Sequence, residues 1–223
     1  MKISFIGVGV MGGGMCMNLI RKGLSVRAIA RREEHLTAFR EAGAEISTRN
    51  GTAADSDVIF LCLPDGNSVN QVLLGETGLL SRLPKGRIII DCSTIGYLEA
   101  RDLAGLCAAR GVAYLDAPIS AHQSKAADGT LTIMVGGDRA VFERVKPLLD
   151  IVGSTILYMG ESGSGQLTKM INNCVLNICT AAFCELMPLG VKLGLPAEEL
   201  GKVLMTASGA SNASRMLIPK ILK

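Results

Sequence analysis

Along the first two thirds of the chain, short runs of consecutive apolar residues alternate with stretches in which apolar positions recur every three or four residues. This is the pattern of strands and helices taken in turn. Lys2 to Ile6 is the first β-type run, after which a cluster of glycines hands over to Met11, Met15, Leu19 and Ile20 at helical spacing, with Gly23 placed to end the helix. A second run at Leu24 to Ala30 leads to a polar helical stretch from Arg32 to Ala42, closed by Gly43, and a third strand near Ala44 to Ile46. Asp57 to Leu63 and Arg87 to Cys92 are too brief for helices, and helical patterns follow them at Asn67 to Leu74 and Leu98 to Ala109. Gly111 to Asp116, Leu131 to Val135 and Thr155 to Tyr158 extend the sheet, with a helix from Asp138 to Leu149 between the last two. Such alternation implies a parallel sheet covered on both faces. Beyond Gly160 the β-rich pattern is lost: Gly165 to Leu193 reads as one long helix with Pro188 placed to kink it, and Pro196-Ala-Glu-Glu-Leu starts another.

With 223 residues, the chain has room for one large domain, residues 1–161, followed by the long helix and an incomplete helical domain, residues 162–223. A content of 48% hydrophobic and 19% charged residues excludes disorder over most of the length. A net charge of +3 is far short of a nucleic-acid-binding surface. The seven cysteines are odd in number, never form CxxC and sit among apolar residues, so they read as core hydrophobes of a reducing compartment. With two histidines and no ligand spacing, no metal site is expected. Two uncharged runs, Ile3 to Ile20 and Met170 to Cys184, raise the question of a signal or membrane segment. Five glycines in the first, and Asn172, Asn173 and Asn177 in the second, argue for a cytoplasmic protein with buried segments and no membrane partner.

Gly7-Val8-Gly9-Val10-Met11-Gly12 follows a predicted strand and opens a predicted helix. In that context the first glycine makes the turn, the second admits a pyrophosphate and the third allows close helix–strand packing, which points to dinucleotide binding. An acidic residue is missing at the end of the second strand, where Ala30-Arg31-Arg32 stands instead. Guanidinium groups there suit a 2′-phosphate, so NADP is expected over NAD, with two solvated arginines as the plainer alternative. Asp116-Ala-Pro-Ile-Ser120-Ala121-His122 ends a strand and enters a helix, where backbone N–H groups and the Ser120 hydroxyl could hold a carboxylate. Ordinary capping by Ser120, and a half-exposed loop histidine, are the competing readings. Gly165, Lys169 and Asn173 line one face of the long helix at i, i+4, i+8. Lys169 either snorkels to solvent or sits in a cleft, where burial would lower its pKa and suit it to proton exchange.

Together these segments resemble the β-hydroxyacid dehydrogenase family, with 3-hydroxyisobutyrate dehydrogenase and tartronate semialdehyde reductase among its members. The resemblance runs through the glycine turn, Leu63-Pro64, Ser93-Thr94-Ile95, Asp116-Ala-Pro-Ile-Ser120 with Gly129-Thr-Leu, and Gly163-Ser-Gly-Gln-Leu-Thr-Lys169-Met-Ile-Asn-Asn173. It implies an α/β, Rossmann-like, doubly wound, mostly parallel sheet, then a long helix and a short all-α domain. Leu63 and Pro64 would flank the adenosine half of the cofactor, with Val69 also among the cofactor-binding positions, and Thr94 would lie by the nicotinamide. Ser120, Ala121 and His122 would bind the carboxylate of a small hydroxy acid or semialdehyde acid, Asn173 would orient it, and Lys169 would be the general acid/base.

Two departures from the family stand out. Ser120-Ala121-His122 occupies the place of Ser-Gly-Gly, and family members continue past the position of Lys223 through helices with a Lys-Asp-Leu segment, so the expectation is that a partner subunit closes the cleft, that the cleft stays open, or that the sequence is a truncated product. A homo-oligomer whose second subunit covers the long apolar helix is therefore expected. Two other readings compete: an NADP-binding truncated homologue with little or no activity, and a relative that reduces imines or a phosphorylated sugar acid.

Overall fold

The computed structural model describes residues 1–120 and 123–222. Its sheet-bearing unit comprises Met1–Lys169. Strand β1 (Lys2–Ile6) leads into helix α1 (Val10–Arg21), followed by β2 (Ser25–Ile29), α2 (Thr37–Glu41), β3 (Glu45–Ser47), β4 (Val58–Leu61), α3 (Gly66–Leu74), β5 (Ile88–Asp91), α4 (Tyr97–Ala108) and β6 (Ala113–Asp116). Then come β7 (Ile119–Ser120), α5 (Gln123–Ala127), β8 (Leu131–Gly136), α6 (Arg139–Val152) and β9 (Gly153–Gly160). The sheet order is β3-β2-β1-β4-β5-β6-β8-β7, with β9 also on β8. All pairings from β3 to β6 are parallel, as is β8 with β9, while β8 runs antiparallel to β6 and β7. The sheet is thus mostly parallel, with its order reversing on either side of β1, where α/β sheets place their ligands.

Alternation along the central strands sorts side chains between two cores. Ile3 and Phe5 of β1, Val58 and Phe60 of β4, and Ile88 and Ile90 of β5 face the core shared with Met15, Cys16 and Leu19 of α1 and Phe142 and Val145 of α6. Ile6, Ile59, Leu61 and Ile89 face the core shared with Val69 and Leu73 of α3 and Leu103 and Cys107 of α4. Phe5 stacks on Phe60 with ring centroids 5.4 Å apart. Every residue of β4 and β5 is buried, as expected of strands covered on both faces.

The segment expected as one helix from Arg32 to Ala42 differs. A 3-10 turn at Glu33–His35 precedes the five-residue α2, and the break falls at Leu36, fully buried in the first core. A continuous helix following the polar pattern gives way to the burial of that one side chain. The two-residue β7 and the short α5 had no periodic signal of their own. Helix α5 packs closely on α1: a Cβ on Gly14 would lie 2.7 Å from the Ala126 carbonyl carbon, and Asn18 donates to the Ala126 carbonyl at 2.9 Å.

Helix α7 (Ser164–Lys192) begins in the first unit and runs into the second, Met170–Lys223. The second unit also holds α8 (Ala197–Thr206) and α9 (Asn212–Ile221), the latter unread in the sequence. Its small core is Phe183, Met187, Ala213 and Ile218. By length and composition alone α7 could cross a membrane. It carries exposed apolar residues that include Ile171, Val175, Ile178 and Leu186.

Candidate cofactor cleft and active site

The glycine turn has the geometry that its three roles require. Gly7 has φ +96°, and a Cβ there would lie 2.3 Å from the Cys62 carbonyl oxygen. A Cβ on Gly12 would lie 2.1 Å from the Gly7 carbonyl oxygen and 3.0 Å from both Cys62 Cβ and Phe5 Cε1, so only glycine lets α1 lie against β1 and β4. Gly9 differs, because a Cβ there would meet nothing within 4 Å among the described residues. It is the residue preceding α1, and no side chain among the described residues caps that helix, so the positive end of the helix opens on space that no described residue fills. Close-packed glycines that build the turn, beside one whose missing side chain leaves room, fit a diphosphate cradle.

That space is part of a cleft of about 480 Å³ lined by Gly7, Val8, Gly9, Arg31, Arg32, Leu63 and Pro64 among others. Both arginines are exposed; Arg32 pairs with Glu34 at 3.2 Å, and Arg31 has no ion-pair partner among the described residues. Val10, Met11 and Gly12 do not line the cleft: Val10 points to solvent and Gly12 is buried beneath the turn. Val69 is fully buried in the second core and does not line this cleft. Thr94 is exposed beyond the end of β5, outside this cleft. Sequence reasoning missed the polar residues His35, Asn50, Ser68, Gln71 and Thr77, which also line it. Only Ser68 carried a local signal: its N–H donates to Asp65 Oδ1 at 2.7 Å in an Asp-x-x-Ser cap directly after Leu63-Pro64.

At the carboxyl ends of β5 and β6 two buried aspartates stand in register, Asp91 opposite Asp116. Asp91 accepts the Ser93 N–H at 2.9 Å and the Tyr114 hydroxyl at 2.8 Å. Burial raises its pKa against those two bonds. Asp116 accepts the N–H groups of Gly163 at 2.7 Å and Gln166 at 2.9 Å, and so holds the first turn of α7. Burial raises its pKa also, opposed by those backbone donors. A Cβ on Gly165 would lie 2.4 Å from the Met134 carbonyl oxygen and 2.7 Å from that of Asp116, so α7 starts against bare backbone.

Lys169, one turn beyond Gly165, is half-buried and has no hydrogen-bond or ion-pair partner among the described residues. Burial holds its ammonium below the ordinary lysine range. Ser120 is half-buried in β7, paired with Thr132, and stands three residues before α5 as part of the sheet. Ala121 and His122 lie outside the described residues. Asn173 follows Lys169 by one turn of α7 and is half-buried in the second unit.

Residues 2–160 match the NAD binding domain of 6-phosphogluconate dehydrogenase, and residues 163–223 match the NAD-binding family of NADP-dependent 3-hydroxyisobutyrate dehydrogenase. The chain belongs to the β-hydroxyacid dehydrogenase family. It is an NAD(P)-dependent oxidoreductase, and its cofactor is a nicotinamide dinucleotide. It is 37% identical to the 2-(hydroxymethyl)glutarate dehydrogenase of Eubacterium barkeri over 222 residues, 99% of this chain and 74% of that one. It is 39% identical to the 2-hydroxy-3-oxopropionate reductase of Escherichia coli over 219 residues, 97% and 73% of the two chains. The structure of 3-hydroxyisobutyrate dehydrogenase of Mycobacterium tuberculosis with L-serine superposes with a TM-score of 0.90 at 33% identity, covering 98% of this dehydrogenase and 74% of the other.

Proposed function

We propose that this dehydrogenase interconverts a small 3-hydroxy acid and its semialdehyde acid with NADP(H), using Lys169 as general acid/base. The observation that carries the reading is the state of Lys169: half-buried, without a partner among the described residues, and set just beyond the first turn of α7, which Asp116 anchors. An unpaired, partly desolvated amine releases and recovers a proton nearer neutrality than an ordinary lysine.

The nicotinamide, when bound, supplies the hydride that the substrate carbonyl carbon takes up in reduction or accepts it in oxidation. As a carbonyl is reduced, the Lys169 ammonium gives its proton to the oxygen that gains charge, and the neutral amine is recharged from solvent. As an alcohol is oxidised, the neutral amine takes the hydroxyl proton. Ser120, with Ala121 and His122, holds the substrate carboxylate, and Asn173 orients the reacting carbon. Gly7, Val8 and Gly9 receive the diphosphate at the start of the helix that Val10, Met11 and Gly12 form, Leu63 and Pro64 receive the adenosine half, Thr94 stands by the nicotinamide, and Arg31 and Arg32 receive the 2′-phosphate. In this reading residues 1–161 bind cofactor and residues 162–223 supply the long helix and the substrate side. The exposed apolar stretch of α7 is covered by a second subunit, and the protein is cytoplasmic, since Lys169, Asn172, Asn173 and Asn177 would be costly in hydrocarbon.

The test is turnover of NADPH with succinic, methylmalonic and tartronic semialdehydes by the wild type and Lys169→Ala. The expected loss in kcat for removing the acid/base is about 10²–10⁴-fold with cofactor binding unchanged. In the wild type, reduction falls and oxidation rises as pH climbs through a pKa below the ordinary lysine value. A Lys169→Ala variant that keeps most of its activity removes the assigned role. Tight NADPH binding with no turnover of any aldehyde acid would point to a binding protein instead.

A further inference from the structure

Gln166 has a buried side chain in the first turn of α7, 1% exposed, that the chemistry above does not use. Its Nε2 donates to the Ser93 carbonyl at 2.8 Å, and its Oε1 accepts the Ile95 N–H at 3.2 Å. The amide therefore closes on both sides of Thr94, and only this orientation works, since reversing it would set donor against donor and acceptor against acceptor. Ser93 extends the connection, because its Oγ accepts the Leu63 N–H at 2.9 Å at the edge of the cofactor cleft. Three residues along α7 from Gln166 stands Lys169.

Anchoring the helix does not require this side chain. Asp116 already takes the N–H groups of Gly163 and Gln166, and the bare face of Gly165 seats the turn against the sheet. What the Gln166 amide adds is a tie between the loop that carries Thr94 and the turn that carries Lys169.

We propose that Gln166 is a positioning residue that fixes the Ser93–Ile95 loop to the first turns of α7, so that the nicotinamide and the Lys169 amine keep one register. The proposal rests on the reading of Thr94 and Lys169 given under Proposed function. Small errors in such a register are expensive: a displacement of about 1 Å costs a rate factor of about 10². Buried polar groups that lose their partner also favour other arrangements of the loop.

The experiment compares the wild type with Gln166→Leu, which keeps the bulk and loses both bonds, and Gln166→Glu, which keeps the acceptor for Ile95 and loses the donor to Ser93 unless the introduced carboxyl is protonated. Amide hydrogen exchange, with and without NADPH, is read separately over residues 93–95 and 163–169, and kcat and KM are measured with the aldehyde acids. In the wild type, NADPH should slow exchange in both segments. In Gln166→Leu, NADPH should still bind within about threefold and slow exchange over residues 93–95, but not over 163–169, and kcat should fall by at least about tenfold with KM nearly unmoved. In Gln166→Glu, the protection of 163–169 should return as pH is lowered and the carboxyl gains its proton; this arm also decides the matter if Gln166→Leu does not fold. NADPH that protects residues 163–169 equally in all three proteins, or in none, overturns the proposal. A wild type that binds NADPH and reduces no aldehyde acid refutes the reductase reading, and the exchange comparison still decides the role of Gln166.

Discussion

Gly9 and Gly12 differ by three positions and call for opposite outcomes from the same substitution to Ala. At Gly12 the added Cβ would be 2.1 Å from a backbone carbonyl oxygen and 3.0 Å from two core carbons. None of these is the free end of a flexible side chain, so α1 must move off the sheet. Overpacking of this kind costs about 1–3 kcal/mol, and the backbone contact places it at the upper end. At the ~2–4 °C per kcal/mol expected of a unit this size, Tm should fall by about 6–12 °C. At Gly9 the Cβ meets nothing within 4 Å among the described residues, and φ −74° suits any residue. A weaker N-cap there, up to about 1 kcal/mol, is offset by the reduced freedom of the unfolded chain, about 0.4–1 kcal/mol. Stability should therefore change little. The new methyl would instead occupy the diphosphate cradle, and NADPH affinity should fall by at least about tenfold, or 1.4 kcal/mol. Thermal unfolding and NADPH fluorescence titration on the two variants measure the two effects. Gly9→Ala that binds NADPH like the wild type, or that loses as much stability as Gly12→Ala, refutes this account of the turn.

Replacing Arg31 and Arg32 together with Ala should weaken NADPH binding by about tenfold, the low end for exposed charge-assisted bonds, and leave NADH binding unchanged. An unchanged NADPH/NADH ratio would return both arginines to the role of solvated surface residues. Asp91 has a raised pKa in the folded protein from burial, so the folded state binds its proton more tightly than the unfolded chain does. Its share of stability is full below the ordinary aspartate pKa and is lost as pH rises through its folded value. Asp91→Asn should flatten the decline of the urea midpoint above about pH 4, and an identical pH profile in the variant would contradict the assignment.

The sequence made legible what is repeated and local. Apolar runs of four or five residues located β1, β2, β4, β5 and β6 within a residue or two, and the glycines at 23 and 43 do end their helices with positive φ. Where one tertiary contact outweighs local pattern, the reading failed: Leu36 breaks a polar helix in order to be buried, and β7 exists because two residues pair with β8. Helix α9 could have been read, since its amphipathic pattern and the cap at Ser211 and Ser214 are both in the sequence. The cleft shows the same division. The glycine turn could be read from its order, whereas Gln71, Thr77 and the tie from Gln166 to Ser93 join residues dozens of positions apart, which no periodicity encodes.

The most direct measurement follows one deuterium. NADPH deuterated at C4 of the nicotinamide, on each face in turn, is consumed with a semialdehyde acid, and the product is examined by NMR for deuterium on the new carbinol carbon. The account predicts deuterium on that carbon from one face and not from the other, in the wild type, with the rate of its appearance lowered in Lys169→Ala. Product without deuterium from either face, or no product while NADPH binds tightly, would contradict it.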